Sequence, residues 1–315
     1  MIVTVTANPS MDRTIELSGE LLRGQVLRAA RVTDQPGGKG VNVAGAVRDA
    51  GLETMAVLPA RAGDPLLAEI AGAGLPYCAV PIDGAVRTNI TLAEPDGTTT
   101  KVNEPGATLT AADSEALIAL TLDAARGASW VALCGSLPPG LPNDWYATMT
   151  RLLTEVGVKV AVDTSGKPLA EVARAHPDLL KPNAAELAEL TGGDPEAMES
   201  MAAAGDPSAA ADAARSLVEQ TGGSVLTTLG GAGALLTTPH GTWQAVAPRI
   251  TVRSTVGAGD SSLAGYLIAD HEGAVESLRL ASAVAYGSAA ASLPGTTPPK
   301  PSDVDRSAVH VERID

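Results

Sequence analysis

Phenylalanine is absent from the 315 residues, and aromatic side chains make up only 2% of them. A core of any size must therefore be built from Ala, Val, Leu and Ile. The 45% apolar composition allows this, and the length suits one large α/β domain or two small ones. Cysteine is nearly missing too. Cys78 and Cys134 cannot make a disulfide framework, and Cys134 in "WVALCGS" reads as a buried strand residue. The four histidines, His176, His240, His271 and His310, are scattered, and no Cys or His stands at metal-ligand spacing, which argues against a zinc site. Positive charge is scarce: 22 Lys and Arg against 36 Asp and Glu give a net charge of −14. Nucleic acid and anionic membranes are poor partners for such a field. No apolar run reaches the ~18 residues of a spanning helix, and the opening "MIVTVTANPSMD" lacks a charged region followed by an apolar one. The expectation is a soluble protein of the reducing cytoplasm.

Several catalytic signatures are also missing. No G-x-S-x-G occurs, so there is no nucleophile elbow. "GGKGVNVA" (37–44) lacks the spacer and the Ser or Thr of a Walker-type loop. In "GAGDSS", Ser262 stands where a dinucleotide fingerprint needs its third Gly. Hydride transfer on a standard dinucleotide fold loses support accordingly.

What is present concentrates at "STVGAGDSSLAGYL" (254–267). Gly257, Ala258 and Gly259 can bring main-chain amides close to a ligand. Leu263, Leu267 and Ile268 then follow at helical spacing, placing Asp260 in the first turn. A helix N-terminus presents unpaired N–H groups and partial positive charge, which suits a phosphate. An Asp that merely caps the helix is the competing reading.

From about residue 128 short apolar runs alternate with amphipathic helical stretches. "WVALCG", "VKVAVD", "DLLKPN" and "SVLTTLG" read as strands; "NDWYATMTRLLTEVG", "PLAEVARAH", "NAAELAELTG" and "SAAADAARSLVEQTG" read as helices. This order predicts a mostly parallel central sheet with helices on both faces. The first half adds a strand-like start, a helix from about Val41 to Ala50 and another in "LTAADSEALIALTLDAARG", with Thr110 and Asp113 as a capping box. Residues 13–34 and 87–106 break the alternation. Polar at alternate positions, with Asp96-Gly97 as a hairpin turn, they predict a small antiparallel sheet projecting as a lid.

"TANPSMDRTIEL", "PGGKGVNVA", "CGSLPPG", "VDTSG", "KPNAAEL" and "STVGAGDS", in that order, resemble the ribokinase-like (PfkB) carbohydrate kinases, in their hexose-phosphate branch. The resemblance runs from about Ile2 to Thr296. It implies a single ribokinase-like domain over 1–315, with ATP and Mg2+ as cofactors and a sugar phosphate as substrate. The reaction implied is phosphorylation of a ketohexose monophosphate, with fructose 1-phosphate first and tagatose 6-phosphate or fructose 6-phosphate behind it.

By the same resemblance Asp260 is the general base, and the amides of Gly257, Ala258, Gly259 and Asp260 form the anion hole for the transferred phosphoryl group. Asp12, Gly37, Gly38, Lys39, Asn42 and Ser136 are expected on the sugar side. Arg87 and Lys101 on the lid are expected to meet its phosphate, because an acidic protein needs cations within reach of a dianion. Gln25 stands where some relatives carry a basic residue, with Arg23 and Arg28 nearby. Lys181, Asn183, Thr228, Gly230, Gly233, Gly287 and Ser288 are expected around the nucleotide. Asn183 and Glu186 would help hold magnesium, in part through water.

The pattern leaves plainer readings open. Asn183 and Glu186 also fit a helix cap, Lys181 a solvated lysine, Gly233 a hairpin turn, Gly287 a helix–helix contact, and Ser136 a turn hydroxyl. A catalytically silent sugar-phosphate sensor and a dehydrogenase-like α/β protein are the readings from other classes. The free edges of the lid sheet suggest a homodimer formed through it.

Overall fold

The computed structural model describes all 315 residues. In chain order the elements are β1 (Ile2–Thr6), β2 (Ser10–Leu17), β3 (Ala29–Gly37), α1 (Lys39–Asp49), β4 (Thr54–Pro59), α2 (Pro65–Gly72) and β5 (Tyr77–Val80). There follow β6 (Arg87–Ala93), β7 (Thr99–Asn103), α3 (Ala111–Ala124), β8 (Trp130–Cys134), α4 (Trp145–Glu155), β9 (Lys159–Asp163), α5 (Gly166–Ala173) and β10 (Leu179–Leu180). The remainder comprises α6 (Ala184–Thr191), α7 (Pro195–Ala203), α8 (Ser208–Thr221), β11 (Ser224–Thr228), β12 (Ala234–Thr238), β13 (Gly241–Val246), α9 (Ala258–His271), α10 (Glu276–Ala291) and β14 (His310–Arg313).

One ten-stranded sheet runs in the order β14-β13-β12-β11-β10-β9-β8-β1-β4-β5. From β5 to β11 every neighbouring pair is parallel; β12, β13 and β14 then continue antiparallel. Buried on both faces, β1 ("IVTVT") and β8 ("WVALC") show continuous apolar or Thr character in place of alternation. Leu117, Met149, Leu153, Leu187 and Leu217, from α3, α4, α6 and α8, pack on one face. Val43, Leu263, Leu267 and Leu280, from α1, α9 and α10, pack on the other. With no Phe to fill volume, the largest fully buried side chains are Tyr146, Tyr266, Ile, Leu and Met. No helix is long and apolar enough to cross a membrane.

The chain leaves β1 in one direction toward β4 and returns on its other side as β8, so the strand order reverses between β1 and β8. At such a point the loops beyond the strand ends part and open a crevice. Asn8 follows β1 and Ser136 follows β8, and the Asn8 amide donates to the Ser136 hydroxyl at 3.3 Å across that gap.

The lid is a four-stranded sheet, β3-β2-β6-β7. Its two hairpins are antiparallel, as expected, but they join through a parallel β2–β6 ladder. Register aligns Gln35, Asp12, Asn89 and Asn103 in one row, so this face of the sheet is polar. The opposite face carries Ile15, Val32, Ile90 and Val102, with Val32 and Val102 exposed. Gln35 Oε1 accepts from the backbone N–H and hydroxyl of Thr296, each at 3.4 Å, tying the lid to the loop beside Gly257. The turn at Asp96-Gly97 is present, Gly97 adopting φ +93°. The Thr110–Asp113 capping box forms on α3. The lid strands begin at Ser10 and end at Gly37, slightly outside the 13–34 span, because β2 leaves the core sheet almost directly from β1. The "DLLKPN" strand shrinks to Leu179–Leu180, since Pro182 cannot donate to a ladder.

Candidate active site

The mouth of α9 is built by its glycines. Gly257 sits at φ +78°, a left-handed turn open to Gly at little cost, and no side chain caps the helix that starts at Ala258. Asp260 is the third helical residue, yet its carboxylate does not cap: Asn42 Nδ2 donates to its Oδ2 at 2.8 Å. The Ala258 amide leans toward the Thr255 carbonyl at 3.4 Å and is the least available of the four expected anion-hole donors. Asp260 is buried, which pushes its pKa up to about 6; Lys39 pulls it down, Asp163 adds to the rise, and Asn42 and Lys181 oppose it.

Two lysines complete this charge cluster. Lys39 opens α1, behind Gly38 at φ +108°. Its Nζ pairs with Asp163 Oδ1 at 2.5 Å, while its side chain keeps a partly exposed surface. Lys181 follows β10 and is buried; its Nζ pairs with Asp163 Oδ2 at 3.0 Å. A Cβ built on Gly259 would lie 3.4 Å from the Lys181 ammonium, so this cation rests directly against the α9 mouth. The solvated reading of Lys181 is thereby set aside. Burial would raise the Asp163 pKa, but the two ammonium groups outweigh it and hold the carboxyl below its ordinary range. Lys39 stays protonated: burial lowers its pKa, and Asp163 with Asp260 more than reverses that.

The crevice beside this cluster is a cavity of about 500 Å³ lined by Asn8, Arg87, Ser136, Asn143, Ser165 and a run of prolines. The Arg87 guanidinium donates to the carbonyls of Asn8 at 3.1 Å and Glu104 at 3.3 Å, and its buried Nε has no partner. On the lid, Asp12 Oδ1 accepts from Ser10 Oγ at 2.8 Å and from Asn89 Nδ2 at 3.0 Å. Gly37 packs so closely on that carboxylate that an added Cβ would lie 2.4 Å from its Cγ. Lys101 is exposed on β7, paired across the ladder with Thr91, and makes no ion pair. It does not line the cavity: its ladder partner Thr91 lies four residues along β6 from Arg87, the lid residue that does.

On the opposite side, Asn183 and Glu186 form a reciprocal cap: Asn183 Oδ1 accepts from Glu186 N at 2.8 Å, and Glu186 Oε2 from Asn183 N at 2.9 Å. Thr228 bridges Asn183 in parallel, bringing the end of β11 to this helix start. Around Gly230 there is open space, but a Cβ at Gly233 would meet the Ala245 carbonyl at 2.0 Å. Close packing in the hairpin thus accounts for a glycine at 233. Gly287 faces the Ala258 carbonyl at 3.2 Å and Ser262, so it packs α10 against α9 just behind the mouth, with half-buried Ser288 beside it.

Sequence reasoning missed Asn8, Asn89, Asn143, Ser165 and above all Asp163. Its signal was available: a carboxylate ending the buried strand "VKVAVD" sits where parallel sheets present their ligand-binding edge.

A buried acid at a helix mouth, two cations against it and a polar crevice at the switch point define a phosphoryl-transfer enzyme, since this chemistry needs positioned charge more than covalent partners. A family profile described as pfkB family carbohydrate kinase matches residues 5–303. The chain is 35% identical to the 1-phosphofructokinase of Rhodobacter capsulatus, over 95% of this chain and 93% of that one. It is 32% identical to the ATP-dependent 6-phosphofructokinase isozyme 2 of Mycobacterium tuberculosis, over 97% of this chain and 88% of that one. Among solved structures, phosphofructokinase-2 from Escherichia coli in complex with substrates and products superimposes with a TM-score of 0.87, at 28% identity and covering 96% of each chain. The chain belongs to the pfkB family of carbohydrate kinases. It is an ATP-dependent sugar kinase.

Proposed function

We propose that this kinase transfers the γ-phosphoryl group of ATP to the free primary hydroxyl of fructose 1-phosphate, giving fructose 1,6-bisphosphate and ADP. The observation that carries the phosphorylated acceptor is Arg87, a cation with an unpartnered, buried Nε on the wall of the switch-point cavity. A guanidinium on the cavity wall of so acidic a protein suits a phosphorylated sugar better than a neutral one. The choice of fructose 1-phosphate rests on the full-length likeness to a 1-phosphofructokinase.

The sugar hydroxyl attacks the γ-phosphorus as Asp260 takes its proton, and ADP departs with the bridging electron pair. The α9 amides and the Lys181 ammonium face the charge on the transferred group; Lys39, Ser136 and Arg87 serve the sugar phosphate, and Asp12 its hydroxyls. The open turn at Gly230 lies on the nucleotide side with Thr228 and Ser288. Magnesium fits the donors present. No cluster of three carboxylate, His or Cys ligands exists, and Asn183 and Glu186 offer few free oxygens. That set suits an ion which keeps its waters and leans on substrate phosphates. When bound, it neutralises phosphate charge. The exposed Val32 and Val102 support a homodimer through the outer lid face, and the two free thiols suit a reducing cytoplasm.

A coupled assay for ADP with fructose 1-phosphate, tagatose 6-phosphate and fructose 6-phosphate tests the substrate. The highest kcat/KM is expected for fructose 1-phosphate, and preference for either 6-phosphate overturns the assignment. The likeness to a 6-phosphofructokinase isozyme makes fructose 6-phosphate the second reading.

A further inference from the structure

Asp163 is the one group that touches both cations of the site. Its side chain is wholly buried at the end of β9, with Lys39 on one carboxylate oxygen and Lys181 on the other. The two lysines arrive from different places: Lys39 from the first turn of α1, and Lys181 from the loop after β10; the function proposed above assigns the first to the sugar phosphate and the second to the nucleotide. Lys39 lies beside Gly135, whose added Cβ would come within 4.0 Å of it, next to Ser136 of the cavity wall. Lys181 lies against Gly259 of the α9 mouth. With Asp260 the cluster holds two positive and two negative charges.

Two neighbouring ammonium groups, one buried and one partly exposed, would repel and turn apart without a shared counter-charge. A buried carboxylate between them, hydrogen-bonded to Lys39 through Oδ1 and ion-paired with Lys181 at 3.0 Å through Oδ2, supplies the counter-charge that both face. We infer that Asp163 is a positioning residue that holds the sugar-phosphate cation and the nucleotide cation on a single carboxylate, so that one side chain sets the geometry of both subsites. It touches neither substrate.

This inference rests on the kinase reading of the site and predicts a two-sided signature. Of the two KM values, Lys39→Met should raise only that for the sugar phosphate and Lys181→Met only that for ATP, each by about 10–100-fold, as expected for a lost charge-assisted bond; kcat should fall in both, since both cations hold down the Asp260 pKa. Asp163→Asn should raise both and lower kcat, and Asp163→Glu, which keeps the charge, should recover part of the loss. Added to the Lys39→Met, Lys181→Met double variant, Asp163→Asn should cost less than about 3-fold more, because its partners are already gone. That background also removes the unpaired cations that threaten the fold of the single variant. A folded Asp163→Asn enzyme that changes one KM or neither, or that keeps its full penalty in the double background, overturns the inference. ATP binding measured by calorimetry without sugar reads the Lys181 side whichever hexose phosphate proves to be the substrate, so a wrong substrate assignment and a wrong role for Asp163 give different results.

Discussion

Asn42 and Asp260, 218 residues apart in sequence, meet at 2.8 Å, the amide of one holding Oδ2 of the other. Asn42 lies one turn beyond Lys39 on α1, so a single helix supplies both the hydrogen bond and the cation that bear on the acid. With one oxygen held, the other is left for an incoming hydroxyl. A general base must be ionised, and burial sets this one near pH 6. The acid limb of kcat/KM should therefore fall about pH 6, with activity lost below it. Asp260→Asn should cost ~10²–10⁴ in turnover at neutral pH, the usual worth of general base catalysis, with the folded spectrum retained. A limb near pH 4, or an Asn variant with full turnover, refutes the role of Asp260.

The raised pKa of this buried acid also bears on stability. The folded pKa of Asp260 lies above its unfolded value near 3.9, so the stability it contributes is fully present below about pH 4 and is lost as pH rises through about 6. At pH 8 the buried charge costs on the order of 3 kcal/mol, since each tenfold change in proton affinity corresponds to ~1.4 kcal/mol. Asp260→Asn should thus melt above wild type at pH 8, and the gap should close toward pH 4.5. Thermal unfolding at the two pH values decides it; a variant destabilised equally at both would show that the carboxylate stabilises the fold.

The sheet, its flanking helices and the lid were legible because period is local: "VKVAVD" alternates with amphipathic helices, and "RTIEL" does not. The mouth of α9 was legible because glycines and an acid precede a helix within one turn. The central ion pairs were not. Lys39 and Asp163 are 124 residues apart, and nothing in either neighbourhood announces the other. Gly233 and Gly287 looked like ligand-facing glycines because a small residue signals close approach without saying to what. Here the neighbours are the Ala245 and Ala258 carbonyls. Lys101 was legible as a lid cation because charge and location are local, but its distance along the ladder from Arg87 and the cavity wall is set by strand register.

Gly37 tests the lid through a steric argument. A methyl group there would fall 2.4–2.5 Å from the atoms of the Asp12 carboxyl group, which must then turn away from Ser10 and Asn89. Gly37→Ala should raise KM for the sugar phosphate about 10-fold or more, in keeping with loss of a hydrogen bond to a charged group. KM for ATP should stay within 2-fold, roughly the scatter of an untouched site. Matched increases in both KM values would mean that the substitution disturbs more than Asp12.

Arg87 should separate phosphorylated from unphosphorylated substrates. Arg87→Ala removes a charge-assisted contact worth roughly 1.5–3 kcal/mol, or about 10–100-fold in KM for the hexose phosphate. Arg87→Lys should restore little, because the guanidinium also ties the Asn8 and Glu104 carbonyls together. Steady-state kinetics with fructose 1-phosphate and fructose side by side make the comparison. Equal losses on both sugars would assign Arg87 to the fold and not to phosphate.

Glu186 carries two roles that one substitution can divide. Its Oε2 accepts the Asn183 amide in the cap of α6, a bond that a neutral Gln side chain can still accept. Glu186→Gln should therefore leave the melting temperature within about 1 °C, whereas Glu186→Ala loses a cap interaction worth ~1 kcal/mol. If the carboxylate also helps hold magnesium, the Gln variant alone should need about 10-fold more Mg2+ for half-maximal rate, because the charged ligand is gone while the cap remains. Rates measured against free Mg2+ at saturating ATP read this directly. A Gln variant with the wild-type magnesium requirement would reduce Glu186 to a capping residue. The coordination of the ion would then fall to the phosphates and water.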